Sequence, residues 1–349
     1  MDSTVFVNEI KTQPSALKAC GEYYSGDEGR ERISRIAREI GSKRRIVFTG
    51  MGTSLYAPYV VMKELAKCTR SAESIDAGEL LHFGLKGFIG DEIVIAVSQS
   101  GESAETREVV KKLKGTVQVV SIVNDPESSM GRDSDIILPI HAGSEASISA
   151  KTYTNTLAVL LMLAVSLRNG EHETVIHHLY ESADLMERTI EESNIKAEQA
   201  AAYFDNLSAL HVIARGSDLV TARQLALIIK EGAGVFSEAL SGGLFRHGPI
   251  ELAGKGHAAL VIVSEGNEPG LSIQLAEDLR RYGSRILVVT DGKQHVSGDM
   301  MTVPVKCPHP GVFPVLCAPF IELFVHAVAK RKGTEAGIFR HAAKITSRE

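Results

Sequence analysis

Arg45-Ile-Val-Phe-Thr-Gly-Met-Gly-Thr-Ser54 is the stretch whose reading decides the fold. A short run rich in β-branched and aromatic side chains stops at glycine, and the hydroxyls of Thr53 and Ser54 follow at once. That order of residues describes a strand leaving its sheet through a loop that opens a helix. Working outward, a helical pattern over 31–41 precedes it. A helix over 55–68, a strand over 92–98, a helix over 104–114 and a strand over 117–123 follow it. A short strand over 135–138, stopped by Pro139, then leads to a long helix from Ser149. Strands alternating with helices predict an α/β fold with a doubly wound parallel sheet.

The stretch 171–204 is charged and helical, and it separates two segments of the same grammar. Leu210-His-Val-Ile-Ala-Arg-Gly-Ser-Asp218 repeats the layout of the opening stretch, and a strand over 258–264, a helix over 271–282 and a strand over 285–290 follow in the same order. The chain therefore reads as a duplicated α/β unit. The expected organisation is an N-terminal extension 1–30, a first domain 31–170, a helical linker 171–204, a second domain 205–333 and a tail 334–349.

Composition narrows the function classes. With 349 residues, 44% hydrophobic and 23% charged, the chain can bury real cores without staples. Lys and Arg number 38 against 43 Asp and Glu, a formal charge of −5, and no segment gathers enough basic residues to track a phosphodiester backbone. Nucleic acid is not an expected partner. Cys20, Cys68, Cys307 and Cys317 are scattered without a CxxC pair, so buried free thiols in a reducing compartment are expected, with no metal and no cofactor. The start, Met-Asp-Ser-Thr-Val-Phe-Val-Asn-Glu-Ile, does not resemble a secretory signal. The apolar run 157–167 is about half the ~20 residues of a membrane span and reads as a buried helix. A cytoplasmic location, with no membrane partner, is the expectation.

In open parallel sheets, ligands bind where strands end, because loops there present backbone N–H groups and helix N-termini carry partial positive charge. Here those loops carry hydroxyls: Gly50-Met-Gly52-Thr53-Ser54, Ser98-Gln99-Ser100-Gly-Glu-Ser103, and Ser147-Ile-Ser149-Ala-Lys151. Each alone could be an ordinary cap or turn. Together, and without a GxxxxGK[ST] or GxGxxG motif, they point to a monoester phosphate held by neutral donors.

These motifs, Gly52-Thr-Ser54, Ser98-Gln-Ser-Gly-Glu-Ser103 and Ser147-Ile-Ser-Ala-Lys-Thr-Tyr-Thr154, resemble sugar isomerase (SIS) domains. The segment Lys230–Leu252 resembles the isomerase half of glucosamine-6-phosphate synthase, its amino-sugar-phosphate deaminase relatives and the deglycases of phosphorylated Amadori compounds. The resemblance implies two tandem SIS domains, each a parallel five-stranded sheet between helices. It implies that Thr53, Ser54, Ser98, Gln99, Ser100, Ser103 and Ser149 hold a sugar phosphate, with Gly52 shaping the first loop. It also implies catalytic roles for Glu231, His247 and Lys344: a proton shuttle at carbon, a ring-opening acid–base group and an imine-forming lysine. In the family the histidine reaches the site from a neighbouring subunit, so a homodimer with shared sites is expected. The synthase's glutamine-hydrolysing domain, with its N-terminal cysteine, is not expected here, where the chain begins Met1-Asp2.

Three positions depart from the pattern. Ile228 stands where synthases and related deaminases place a lysine, Leu244 where they place a glutamate, and Gly337-Ile-Phe-Arg340 keeps only the arginine of the usual acidic-x-Pro-Arg tail. The function that fits is deamination or deglycation of an aminated sugar 6-phosphate, coupled to aldose–ketose isomerisation. A plain phosphosugar isomerase, an ammonia-dependent aminotransferase half, and a non-enzymatic sugar-phosphate sensor remain open.

Overall fold

A computed structural model describes residues 4–68, 71–168, 172–296, 298, 300–341 and 343–346. Ten strands are found among them. β1 (Arg45–Gly50), β2 (Ser71–Asp76), β3 (Glu92–Ser98), β4 (Gln118–Val123) and β5 (Ile136–Pro139) form one sheet in the order β2-β1-β3-β4-β5. β6 (Ala209–Ala214), β7 (Phe236–Ser241), β8 (Ala258–Val263), β9 (Arg285–Thr290) and β10 (Met301–Pro304) form a second, β10-β9-β8-β6-β7. All neighbours within each sheet are parallel. The expected pair of doubly wound five-stranded sheets between helices is present.

The central strands are apolar on both faces because helices cover both sides of a parallel sheet. All seven residues of β3, Glu-Ile-Val-Ile-Ala-Val-Ser, are buried, as are all six of β8. Val47, Val94, Val119 and Met130 share one core with Val109, Val110 and Leu113 of the helix Ala104–Leu113. Ile213, Val261 and Val288 share another with Leu275 and Leu279 of the helix Pro269–Arg281. Each such side chain contributes about 1.5–3 kcal/mol by leaving water.

The strands absent from the sequence reading, β2, β7 and β10, are all edges. An edge strand has one partner and can keep a wetter face, so it need not carry an apolar run, although β5, the fourth edge, does. Ser71-Ala-Glu-Ser-Ile-Asp76 is nowhere fully buried, and Phe236 of β7 is exposed. The expected helix over 55–68 is broken. Thr53–Tyr56 passes through a 3₁₀ turn, Ala57–Val60, to Met62–Ala66, with Pro58 at the break, where proline lacks the N–H that a continuous helix needs.

The chain divides differently from the expected boundaries. One compact unit, built on the first sheet, comprises Gln13–Glu145, Lys151–Ala183 and Arg340–Glu349; the other, built on the second, comprises Met1–Thr12, Ala146–Ala150 and Asp184–Phe339. The stretch read as a linker is one helix, His172–Tyr203, and the division falls inside it. Nor is the opening stretch a polar extension. Val5–Lys11, Gln13–Ser25 and Asp27–Gly41 are helices that bury Phe6, Ile10, Leu17, Cys20, Tyr24 and Ile33.

One helix among the described residues, 310–331 with its opening 3₁₀ turn, is long and apolar enough to cross a membrane; its apolar window is entirely buried within the protein, as a core helix is. The four cysteines are free, and three are buried. Burial pushes the thiols of Cys20 and Cys307 up to about 12.

Candidate active site

The order of the first sheet reverses at β1, with β2 on one side and β3 on the other, so the loops after β1 and β3 flank its switch point. The loop after β1 turns at Gly52, whose φ of 53° and ψ of −124° suit glycine alone, and runs into the short helix Thr53–Tyr56. Thr53 and Ser54 stand half-buried there.

The loop after β3 is held by its own hydroxyls. Ser98 Oγ, buried at the strand end, accepts the Gly101 N–H at 3.0 Å, and Ser100 Oγ accepts the Glu102 N–H at 3.1 Å. Gly101 has a φ of 67°, and a Cβ there would lie 2.0 Å from Ser128 Oγ. Ser128 belongs to the turn after β4, from which the Asn124 and Met130 N–H groups reach the carbonyls of Gln99 and Gly101. Glu102, the only carboxylate in these two loops, turns away and accepts the Ser129 N–H at 2.7 Å; this bond above all holds its carboxyl below the usual range. Ser103 precedes the helix Ala104–Leu113 without bonding its side chain to it. The first unit thus gathers Gly52, Thr53, Ser54, Ser98, Gln99, Ser100 and Ser103 on adjacent loops, beside a helix N-terminus.

Lys344 lies in the same unit. Its Nζ is 3.0 Å from Glu145 Oε2, and the Glu145 side chain is wholly buried. Two residues on, the Thr346 carbonyl accepts the N–H of Ala104, the first residue of the helix after Ser103. Sequence reasoning missed Glu145. Its only signal was a position two residues before Ser147, with nothing to say that a residue 199 positions away would meet it.

Ser149, Glu231 and His247 belong to the other unit. There Glu9 accepts the N–H groups of Ala146 and Ser147, and the Ser149 carbonyl accepts Gln224 Nε2 at 3.3 Å. Gln224 and Glu231 share the helix Leu219–Ala233; Glu231 is exposed in its last turn, while Ile228, one turn earlier, is completely buried. His247 is an exposed residue that ends the short helix Gly242–Arg246, and Leu244 beside it is exposed too.

The second sheet has its own switch point, at β6, but its loops are built differently. Asp218 is buried there, its carboxylate accepting the N–H of Ser264 at 3.1 Å and its hydroxyl at 2.8 Å. Burial pushes Asp218 up to about 7. A carboxylate fills the loops of this sheet, whereas hydroxyls line those of the first. Among the described residues, no three His, Cys, Asp or Glu side chains are grouped to hold a metal ion.

The chain matches, over residues 39–166, which contain β1 to β5, the family model described as SIS domain. More particularly, it is 27% identical over 354 residues to the isomerizing glutamine–fructose-6-phosphate aminotransferase of Zymomonas mobilis, with 98% of this chain and 58% of that protein covered. It thus spans a little over half the length of the curated relatives it matches. Its fold is that of the C-terminal domain of glucosamine-fructose-6-phosphate aminotransferase from Francisella tularensis: TM-score 0.86 at 23% identity, covering 96% of this chain and 98% of that one. Glucosamine-6-phosphate deaminase from Thermotoga maritima is also similar, with a TM-score of 0.75 at 19% identity over 98% of this chain and 99% of that one.

Proposed function

We propose that the chain is an enzyme acting on an aminated sugar 6-phosphate, which it deaminates or deglycates while isomerising the sugar between aldose and ketose. The observation that carries this reading is the pair of hydroxyl-lined loops at the first switch point, set in the same unit as the tail lysine. The phosphate binds to Thr53, Ser54, Ser98, Gln99, Ser100 and Ser103, where neutral donors and the helix dipole suit a monoester dianion. Ser149 is a further ligand of the sugar phosphate.

His247 assists ring opening, since an imidazole exchanges protons near neutral pH. Glu231 moves the carbon-bound proton between C1 and C2. Lys344 forms an imine with the open-chain ketose. Two chains form a dimer, and His247 serves the partner's site. The nature of the relatives supports an amino-sugar phosphate as substrate: they comprise an aminotransferase acting with fructose 6-phosphate and a glucosamine-6-phosphate deaminase. The buried Ile228, in place of a lysine, is the ground for expecting a different amine or sugar from theirs.

Incubation with glucosamine 6-phosphate and with a phosphorylated Amadori compound, monitored for ammonia or free amino acid, tests the reading. Release is expected with one of them, and Glu231→Gln should abolish it while leaving sugar-phosphate binding intact. Turnover by Glu231→Gln at the wild-type rate would remove Glu231 from the mechanism. Binding without turnover of any aminated sugar phosphate would favour a sensor.

A further inference from the structure

We infer that Glu145 holds the tail amine of Lys344 in place and exchanges protons with it: a carboxylate fixed at the start of a buried helix. The carboxylate is set independently of the tail. Its Oε1 accepts the Thr152 N–H at 3.1 Å, and its Oε2 accepts the Thr152 hydroxyl at 2.6 Å. Thr152 is the second residue of the helix Lys151–Leu167, whose N-terminal end favours a negative charge, and every residue of that helix from Thr152 to Ala164 is buried. The anchor is therefore rigid.

Lys344 is the opposite kind of group, a flexible side chain near the end of the chain that loses rotamer freedom when fixed. Its Nζ is nevertheless 3.0 Å from Glu145 Oε2, and its side chain is only 21% exposed. The Thr346 carbonyl on the Ala104 N–H gives the tail a second hold, two residues further on. Between these holds the backbone has little freedom, and the amine is kept beside one carboxylate.

The inference rests on the reading of Lys344 as an imine-forming lysine, and there the carboxylate has a further use. Glu145 takes one proton from the ammonium, and the freed nitrogen lone pair adds to the ketose carbonyl carbon. A second nitrogen proton moves to the oxygen. The proton kept by Glu145 then expels that oxygen as water, leaving an iminium and restoring the carboxylate.

Two measurements on the intact 349-residue chain separate this inference from the imine reading. In the first, substrate-free wild type, Glu145→Gln and Thr152→Val are pulsed with acetic anhydride, and acetylation of Lys344 is compared with that of the exposed Lys306 by peptide mass spectrometry. A buried hydrogen bond between charged groups is worth about 1.5–3 kcal/mol, so Glu145→Gln should label Lys344 at least ~tenfold faster, with Lys306 unchanged. Thr152→Val, which keeps the carboxylate and loosens its anchor, should give a smaller rise, and it serves alone if Glu145→Gln does not fold. In the second, the same proteins are reduced with borohydride in the presence of fructose 6-phosphate. Wild type should carry the sugar on Lys344, and Glu145→Gln roughly a tenth as much. Lack of any adduct on wild-type Lys344 would refute the imine reading while leaving the acetylation result to decide Glu145. Equal acetylation of Lys344 in wild type and folded variants would overturn the inference.

Discussion

Replacing Asp218 by asparagine tests the reasoning about the second switch point, because the carboxyl group there is buried and pushed from 3.8 up to about 7. Desolvation is the main cause, opposed by the hydrogen bonds from Ser264 and Asn267. The raised value makes the folded protein the tighter proton binder. The stabilising contribution is therefore fully present below pH ~4 and is lost as pH rises through about 7. About three pH units, at somewhat over 1 kcal/mol each, amount to roughly 4 kcal/mol in all, of which about 2–3 kcal/mol falls between pH 5 and pH 8. Asparagine does not titrate, keeps an oxygen to accept from Ser264, and removes that slope. Urea unfolding of both proteins at pH 5 and pH 8 measures it. The variant should gain about 2–3 kcal/mol relative to wild type on going from the lower pH to the higher. Parallel stability curves would show that Asp218 titrates normally and that the burial argument is wrong.

Gly101→Ala should cost about 2–4 kcal/mol, because a side chain at a φ of 67° is strained and its Cβ runs into Ser128; differential scanning calorimetry would show it, and an unchanged melting temperature would deny the tight packing of this loop. His257 donates to or accepts from His211 at 3.0 Å and Ser284 at 2.9 Å, and burial first, then His211, lowers it to about 4. Its stabilising contribution is present above pH ~6.5 and lost as pH falls toward 4, so His257→Gln should flatten the acid limb of the stability profile; an equally steep limb would contradict this.

Much of this architecture was legible because parallel strands must be apolar on both faces. Val94, Ile95 and Ala96 of β3, or Val261 and Ile262 of β8, admit few other readings. Edge strands obey a weaker rule. Ser71-Ala-Glu-Ser-Ile-Asp76 is a strand because β1 offers it a row of backbone partners, from Arg45–Ser71 to Gly50–Asp76, and not because of its own composition. The two helices before residue 26 were hidden for a similar reason, since Phe6, Ile10 and Tyr24 are apolar residues spaced among polar ones, yet all three are completely buried.

Within the site, the hydroxyls of Ser98, Ser100 and Thr53 announced themselves by their position after strands. Glu145 could not, since a carboxylate's function depends on what reaches it, and its partner Lys344 comes from the far end of the sequence. Asp218 shows the converse. Gly216-Ser217-Asp218 has the same look as Gly52-Thr53-Ser54, yet folding closes its carboxylate onto Ser264.

The account rests above all on the loops after β1 and β3 holding a phosphorylated sugar. Titration calorimetry of the wild-type protein with fructose 6-phosphate, glucosamine 6-phosphate and the corresponding unphosphorylated sugars measures this directly. A sugar phosphate should bind at one site per chain, the unphosphorylated sugars at least ~100-fold more weakly, and Ser100→Ala with Thr53→Val should remove most of the difference. Equal binding of phosphorylated and unphosphorylated sugars, or sugar-phosphate binding undisturbed by the double variant, would contradict it.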